Sequence, residues 1–207
     1  MMKINNEVPL RKNDDGLFGR KYEKEKGVKE NNDQGSDLPN LELKSKKPGS
    51  KSRDTLFSKE PKWDTSGVVS RSKDLLDLYK NTDGKLNTTM TYEKPNKVGF
   101  YISNSIDAEH LYVYHTEHRE PLGRYVWSEI LSTAATKLKN VNKAVFHDEK
   151  RYTENKYRGF SSTKFRSLLQ EGGIVVEFRM RVGKNRGTAF RVNQDRLKEL
   201  YATATEN

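Results

Sequence analysis

Apolar residues recur along this chain in two rhythms. The longest helical rhythm places Trp127, Ile130, Leu131, Ala134, Ala135 and Leu138 at i, i+3, i+4, i+7, i+8 and i+11, and this single stripe predicts a helix over 125–139. Shorter helices are expected over 17–26, opened by Asp14 or Asp15 and stopped by Gly27, over 71–79, over 161–171 ahead of Gly172-Gly173, and over 194–201. The alternating rhythm is most regular at 174–182. There Ile174, Val176, Phe178, Met180 and Val182 share one face, and Glu177, Arg179 and Arg181 share the other. A turn at 183–187 then returns the chain along 188–192, which predicts a hairpin with an almost wholly basic polar side. Further strands are expected at 41–44, 55–57, 88–92, 98–103, 111–116 and 143–147, with polar loops at 30–36 and 46–54. Helices and strands alternate without an internal repeat, the pattern of an α/β fold, α+β in detail, with a mixed sheet.

Charge adds a partner to this picture. The 207 residues hold 39 Lys plus Arg against 29 Asp plus Glu, for a net charge of +10. Residues 1–60 carry 14 basic and 11 acidic side chains, residues 61–119 carry 8 and 8, and residues 120–207 carry 17 and 10, so most of the excess lies in the last third. Between Lys150 and Arg191 eleven basic residues face only Glu154, Glu171 and Glu177. Solvated surfaces usually mix both signs, so this bias points to a polyanion, nucleic acid first. With no cysteine in the chain, disulfide scaffolds, thiolate metal sites and cysteine nucleophiles are excluded together. No apolar run approaches the length of a bilayer span and the first residues lack the apolar stretch of a signal peptide, so a cytoplasmic protein with no membrane partner is expected.

The acidic residues suggest chemistry. Asp37, Glu42 and Lys44 form an Asp-x4-Glu-x-Lys constellation in which Glu42 and Lys44, two apart on a strand, share one face. Two carboxylates so spaced can hold a divalent metal through hard oxygen ligands, and the neighbouring ammonium can orient water and stabilise a pentavalent phosphate. Leu41 and Leu43 point the other way, into the core, and the carbonyl of Leu43 is a further candidate ligand. The four histidines include one i, i+3 pair, His115 and His118, with no third ligand in view, so no zinc site is expected. Nothing marks a Ser/His/Asp nucleophile.

Around this constellation run Gly19-Arg20-Lys21-Tyr22-Glu23, Gly27-Val28-Lys29-Glu30-Asn31-Asn32, Ser36-Asp37-Leu38-Pro39-Asn40-Leu41-Glu42-Leu43-Lys44-Ser45-Lys46 and Asp54-Thr55-Leu56-Phe57-Ser58-Lys59-Glu60-Pro61. Trp127-Ser128, Lys156-Tyr157, Glu177-Phe178-Arg179-Met180 and Gly187-Thr188-Ala189-Phe190-Arg191-Val192 follow in order. As a set these blocks resemble the MvaI/BcnI family of type II restriction endonucleases over most of residues 9–201. The resemblance implies a PD-(D/E)XK nuclease core, related to that of the MutH mismatch-repair nicking enzyme, with a basic DNA-recognition lobe. It implies Asp37 and Glu42 as metal carboxylates with Leu43 beside them, Lys44 as the catalytic lysine, and Glu23 as a first-helix glutamate that completes the site. The implied reaction is Mg2+-dependent hydrolysis of double-stranded DNA, by a monomer, at a short CC-x-GG-like sequence, leaving a 5′-phosphate. A DNA methyltransferase acting on the same site is the implied companion.

Residues 1–135 are expected to form the catalytic lobe and 136–207 the recognition lobe, with Lys59, Arg151, Lys156, Arg181, Arg186, Thr188 and Arg191 meeting DNA. Two departures from the family stand out: the Lys24-Glu25-Lys26 run in the first helix, and Asn185-Arg186 where the family tends to have Asp-His. Arginine makes a bidentate contact to guanine O6 and N7, so Arg186 is a candidate base reader, or else a turn residue touching phosphate. The rivals to a restriction enzyme are a MutH-like repair nickase and a non-catalytic basic DNA-binding protein.

Overall fold

The computed structural model describes residues 1–4, 8, 14, 16–28, 36–63 and 67–205, and of residues 184–186 the backbone alone. In chain order it forms β1 (Met2–Lys3), α1 (Leu17–Glu25), β2 (Glu42–Lys46), β3 (Asp54–Ser58), α2 (Ser72–Tyr79), β4 (Lys85–Met90), β5 (Phe100–Ser103) and β6 (His110–His115). There follow β7 (Gly123–Val126), α3 (Trp127–Lys137), β8 (Asn140–Phe146), β9 (Arg151–Phe160), α4 (Ser162–Gln170), β10 (Ile174–Arg181), β11 (Lys184–Val192), a 3-10 turn (Leu197–Leu200) and β12 (Tyr201–Thr205). The mixed α+β architecture is the one the sequence predicts.

Two compact units emerge, both discontinuous in sequence. One comprises Met1–Ser52, Ala134–Ser162 and Gln194–Asn207; the other comprises Arg53–Thr133 and Thr163–Asn193. The expected cut at residue 135 is therefore corrected. Its physical reason is the sheet of the first unit, which takes strands from all three of that unit's segments and so cannot belong to one contiguous stretch.

In this first unit β2 runs parallel to β8, β8 pairs antiparallel with β9, and the far edge of β9 takes β1 at one end and β12 at the other. Side chains alternate across a strand, so Glu42, Lys44 and Lys46 share one face with Val141 and Lys143, while Leu43 and Ser45 share the other with Asn142 and Ala144. α1 covers this second face. Its Tyr22 and Phe18 pack with Ile4, Leu43, Ala144, Phe146 and Tyr152, with Phe18 against Phe146 at 4.8 Å and Tyr22 edge-on to Tyr152 at 5.5 Å. Each such large apolar side chain, fully buried, contributes about 2 kcal/mol.

The charged run in α1 does not break this packing, because Lys24 and Glu25 are exposed and Lys26 meets an opposite charge. Lys26 Nζ lies 2.5 Å from the Glu154 carboxylate on β9, which is 3% exposed and also accepts the Tyr22 hydroxyl at 2.6 Å. Asn142 Nδ2 donates to the same carboxylate at 3.4 Å, and Arg158 donates to Asn142 Oδ1 at 2.6 Å. Burial works against the charge on Glu154, but the hydrogen bonds from Lys26 and Tyr22 outweigh it and hold the carboxyl below its ordinary range. At the start of α1 the expected Asp14 cap is absent; its carboxylate pairs with Arg20, while Asp15 lies outside the described residues.

The second unit contains a four-stranded antiparallel sheet, β3-β11-β10-β4, and a three-stranded one, β5-β6-β7. Ile174, Val176, Phe178 and Met180 fill one face of β10 and are buried, as are Phe190 on β11 and Leu56 and Phe57 on β3. α2, α4 and the first turns of α3 add Leu75, Phe165, Leu168, Leu169, Trp127 and Ile130. Gly123 is required on β7, where a Cβ would lie 2.7 Å from the Trp63 ring and 2.9 Å from the Lys62 carbonyl.

Several predicted elements are corrected. The hairpin turns at Val182-Gly183, directly after the Arg181–Lys184 pair, so Val182 leaves the core face and is 63% exposed. A register shift between Phe178 and Met180 sets Arg186 and Gly187 opposite Arg179, with Gly187 at φ 72°, a bulge where a turn was expected. The helix expected over 194–201 is a single 3-10 turn followed by β12, whose Thr-rich run suits a strand and finds the open edge of β9. The helix expected from residue 125 starts at Trp127, because Tyr125 belongs to β7.

Glu154 has a lowered folded pKa, so its stabilisation is present above the unfolded glutamate value of about 4.3 and is lost as pH falls through the folded value. Glu154→Gln is therefore expected to lower stability by about 2 kcal/mol near neutrality, with the gap to wild type closing in acid, as measured by chemical denaturation across pH.

Candidate active site

The segment Leu38-Pro39-Asn40-Leu41 closes on itself through Leu38 N–H to Leu41 O at 2.9 Å and Leu41 N–H to Leu38 O at 3.0 Å. Pro39 followed by Asn40 at φ 60° is the residue chemistry of a type II turn. The turn folds Asp37 back on the start of β2, where its Oδ2 accepts the Leu43 amide at 2.7 Å. Asn140 Nδ2 donates to the Asn40 carbonyl at 3.0 Å, which ties the turn to the start of β8.

Glu42 begins β2 and is 6% exposed. Its Oε1 accepts from Lys44 Nζ at 3.2 Å and lies 3.7 Å from Lys137 Nζ, at the end of α3. Its Oε2 is buried with no hydrogen-bond partner. An orphaned carboxylate oxygen is costly away from water unless something positive meets it. Burial raises the Glu42 pKa above its ordinary value; Lys44 and then Lys137 pull it back, and the Asp37 charge raises it further. Lys143, 4% exposed, shares the face of Glu42 and Lys44 directly opposite Lys44. Tyr201 at the start of β12 is also near. Burial, and then the Glu42 charge, hold its hydroxyl protonated.

Asp37, Glu42 and Lys44 thus come together, as the sequence predicts. The chemistry of the donor set suits a hard divalent cation: two carboxylates, one with a free buried oxygen, and a lysine two residues away. Leu43 keeps its side chain in the core, 6% exposed, with its amide held by Asp37. Glu23 is half-buried on α1, over the face that carries Ser45: a methyl placed on Gly19 would lie 3.7 Å from Glu23 Oε1 and 3.6 Å from Ser45 Oγ. Sequence reasoning missed Lys137, Lys143 and Tyr201. Lys137 ends the strongest helical stripe and Lys143 sits in a predicted strand, but only the pairing of β2 with β8 reveals what they face.

The expected DNA contacts are scattered. In the first unit Arg151 pairs with Asp148 on the surface, and Lys156 is exposed on the face opposite Glu42, 3.9 Å from Glu154. In the second, Lys59 pairs with Glu129 at 3.2 Å, and Arg181 is exposed at the tip of the hairpin. Thr188 is fully buried; its amide and hydroxyl both donate to Glu60, at 2.9 and 3.2 Å, so its side chain has no surface with which to meet DNA. Arg191 is committed to Glu177 Oε2 at 2.7 Å and to the Arg53 carbonyl. The Arg186 side chain lies outside the described residues. The polar face of this sheet forms an open groove of 480 Å³ lined by Asn87, Thr89, Asn96, Lys97, Arg179 and Arg191 around Glu177. Arg53 donates to Glu177 at 3.3 Å. The face is therefore less purely basic than the sequence suggests, with an acidic hub at its centre.

Among the described residues no helix is long and apolar enough to cross a membrane. The chain is similar to a solved complex of restriction endonuclease MvaI with its cognate DNA substrate, at 18% identity and a TM-score of 0.69, over 99% of this chain and 90% of the other. It is also similar to restriction endonuclease MvaI solved in the absence of DNA, at 20% identity and a TM-score of 0.48, over 80% and 79%. No curated protein matches the sequence. The first likeness shows the fold. The sequence model of the MvaI/BcnI restriction endonuclease family matches residues 2–201, nearly the whole chain, and the chain belongs to that family of site-specific DNA nucleases.

Proposed function

We propose that this type II restriction endonuclease hydrolyses double-stranded DNA with Mg2+ held by Asp37 and Glu42, and that the buried, unpartnered Oε2 of Glu42 beside Lys44 is the observation that carries the reading. When bound, the ion supplies Lewis-acid stabilisation of phosphate charge and lowers the pKa of water. The residues do the rest. Asp37 and Glu42 orient the hard oxygen donors. Lys44 and Lys137, now balanced on Glu42 Oε1, offer positive charge to a phosphate whose charge grows in the transition state. Glu23 has no part in this reading, because it lies on α1 over the Ser45 face of the sheet and not over the face of Glu42 and Lys44. The first unit thus performs the chemistry and the second reads sequence through its basic hairpin, with Arg186 contacting guanine in a CC-x-GG-like site. The enzyme acts as a cytoplasmic monomer beside a methyltransferase of the same specificity.

On supercoiled plasmid with Mg2+, Lys44→Ala and Asp37→Asn are expected to lower cleavage by about 100-fold or more while DNA still shifts on a gel. Wild type that shifts DNA but neither nicks nor linearises any substrate would leave only the non-catalytic binder. Arg186→Ala is expected to slow cleavage at the preferred site and to relax discrimination at one guanine by roughly 10-fold, read by mapping cut sites on methylated and unmethylated plasmid.

The raised pKa of Glu42 has a definite sign. Its stabilising contribution in the metal-free protein is present below about 4.3 and is lost as pH rises through the raised folded value. In EDTA, Glu42→Gln is therefore expected to become more stable than wild type as pH rises through that window. Added Mg2+ is expected to restore wild type alone, with a proton released on binding. Thermal unfolding and calorimetric titration at several pH values check both.

A further inference from the structure

The turn that follows β6 carries a cluster that the nuclease chemistry does not use. His115, the last residue of β6, is 3% exposed and stands between the rings of Tyr79 and Phe100, whose centroids are 4.4 and 4.6 Å away. Its Nε2 lies 2.7 Å from the Val98 carbonyl, which only accepts, so Nε2 carries the proton and the lone pair is on Nδ1. The backbone approaches closely here. A Cβ on Gly99, at φ 101°, would lie 2.9 Å from that Nε2. Nδ1 faces Glu117, with the amide at 3.2 Å and Oε2 at 3.7 Å. The bond from His118 N–H to the His115 carbonyl, 3.0 Å, folds His118 back over the same point, and Tyr79 Oη holds His118 Nε2 at 2.7 Å. One ligand atom each of His115, Glu117 and His118 lie within 4.8 Å of one another.

We propose that His115, Glu117 and His118 form a binding site for a divalent transition ion of the zinc class, separate in its residues from Asp37 and Glu42. Two imidazoles and one carboxylate are a donor set that zinc takes, with water in the fourth position, whereas Mg2+ takes oxygen. Metal-bound histidines usually engage an oxygen through their other ring nitrogen, which sets the tautomer; the Val98 carbonyl and the Tyr79 hydroxyl stand in those two places. What the ion displaces is weak, the 3.2 Å bond from the Glu117 amide. Bound, it would clip the β6 turn to Tyr79 at the end of α2, a structural role. The sequence showed the two histidines, but the carboxylate between them reads as one more charged turn residue until the turn is folded.

The test uses the full chain carrying Glu42→Gln, to remove oxygen-site binding, stripped with EDTA and dialysed against Zn2+ or Co2+. Metal content and the visible spectrum of the Co2+ form are then measured in excess Mg2+. The expected result is about one ion per chain, a tetrahedral Co2+ spectrum and a raised unfolding temperature. His118→Ala with Glu117→Gln, at exposed or half-buried positions, is expected to abolish binding with circular dichroism unchanged. Tyr79→Phe, which keeps the ring packing, is expected to weaken it by about 10-fold. No retained ion, or an ion content that the His118→Ala, Glu117→Gln pair leaves unchanged, overturns the site. Equal affinity in Tyr79→Phe overturns the assignment of His118.

Discussion

A single hydrogen bond, from the Leu43 amide to the Asp37 carboxylate, brings the two acidic residues of the site to one place. Asp37 and Glu42 are five residues apart, and an extended chain would separate them by most of the length of a strand. The Pro39-Asn40 turn reverses the chain within that interval, and the amide then fixes the returning carboxylate. Pairing of β2 with β8 completes the arrangement, because it holds Glu42 in a buried position where its charge is costly and Lys44 on the same face where it is useful.

The same unit shows how such a charged chain makes a core. Glu154 lies under α1 and Glu42 on the opposite face of the sheet, both nearly inaccessible. They differ in what surrounds them. Glu154 is met by Tyr22, Lys26 and Asn142, so the charge is settled and its carboxyl stays acidic. Glu42 has two lysines near one oxygen and no partner on the other, so burial wins and its proton is held more tightly. A structural carboxylate is satisfied by the fold itself. A site carboxylate retains capacity for something the fold does not supply.

Much of this was legible in the sequence, and the failures have physical causes. Helices α1 to α4 follow from apolar spacing together with the turn and stop residues at their ends, and the hydrophobic face of β10 follows from strict alternation. β9, the strand on which the first sheet is built, was invisible as a strand: Arg151, Glu154, Lys156 and Arg158 interrupt its apolar pattern, and only the network under α1 explains a buried glutamate there. The helix expected over 194–201 reaches only the first residue of β12, because Leu197, Leu200 and Tyr201 fit helical spacing as well as they fit a 3-10 turn that enters a strand. At the site, Asp37, Glu42 and Lys44 could be found because they are close in sequence. Lys137 and Lys143 could not, since what brings them there is contact between distant segments, and the same is true of the Arg53–Glu177–Arg191 group within the second unit. Thr188 shows the converse error, a residue in a distinctive motif whose hydroxyl serves Glu60 inside the fold.

Glu42 Oε2, buried without a hydrogen-bond partner, is the proposed metal ligand, with Asp37 beside it. Anomalous diffraction from crystals of the full chain grown with Mn2+ tests this most directly. The account predicts a peak within bonding distance of Glu42 Oε2 and an Asp37 oxygen, absent in Asp37→Asn. A well-ordered site with Glu42 still bound only by Lys44 and Lys137, and no peak between the carboxylates, would contradict it.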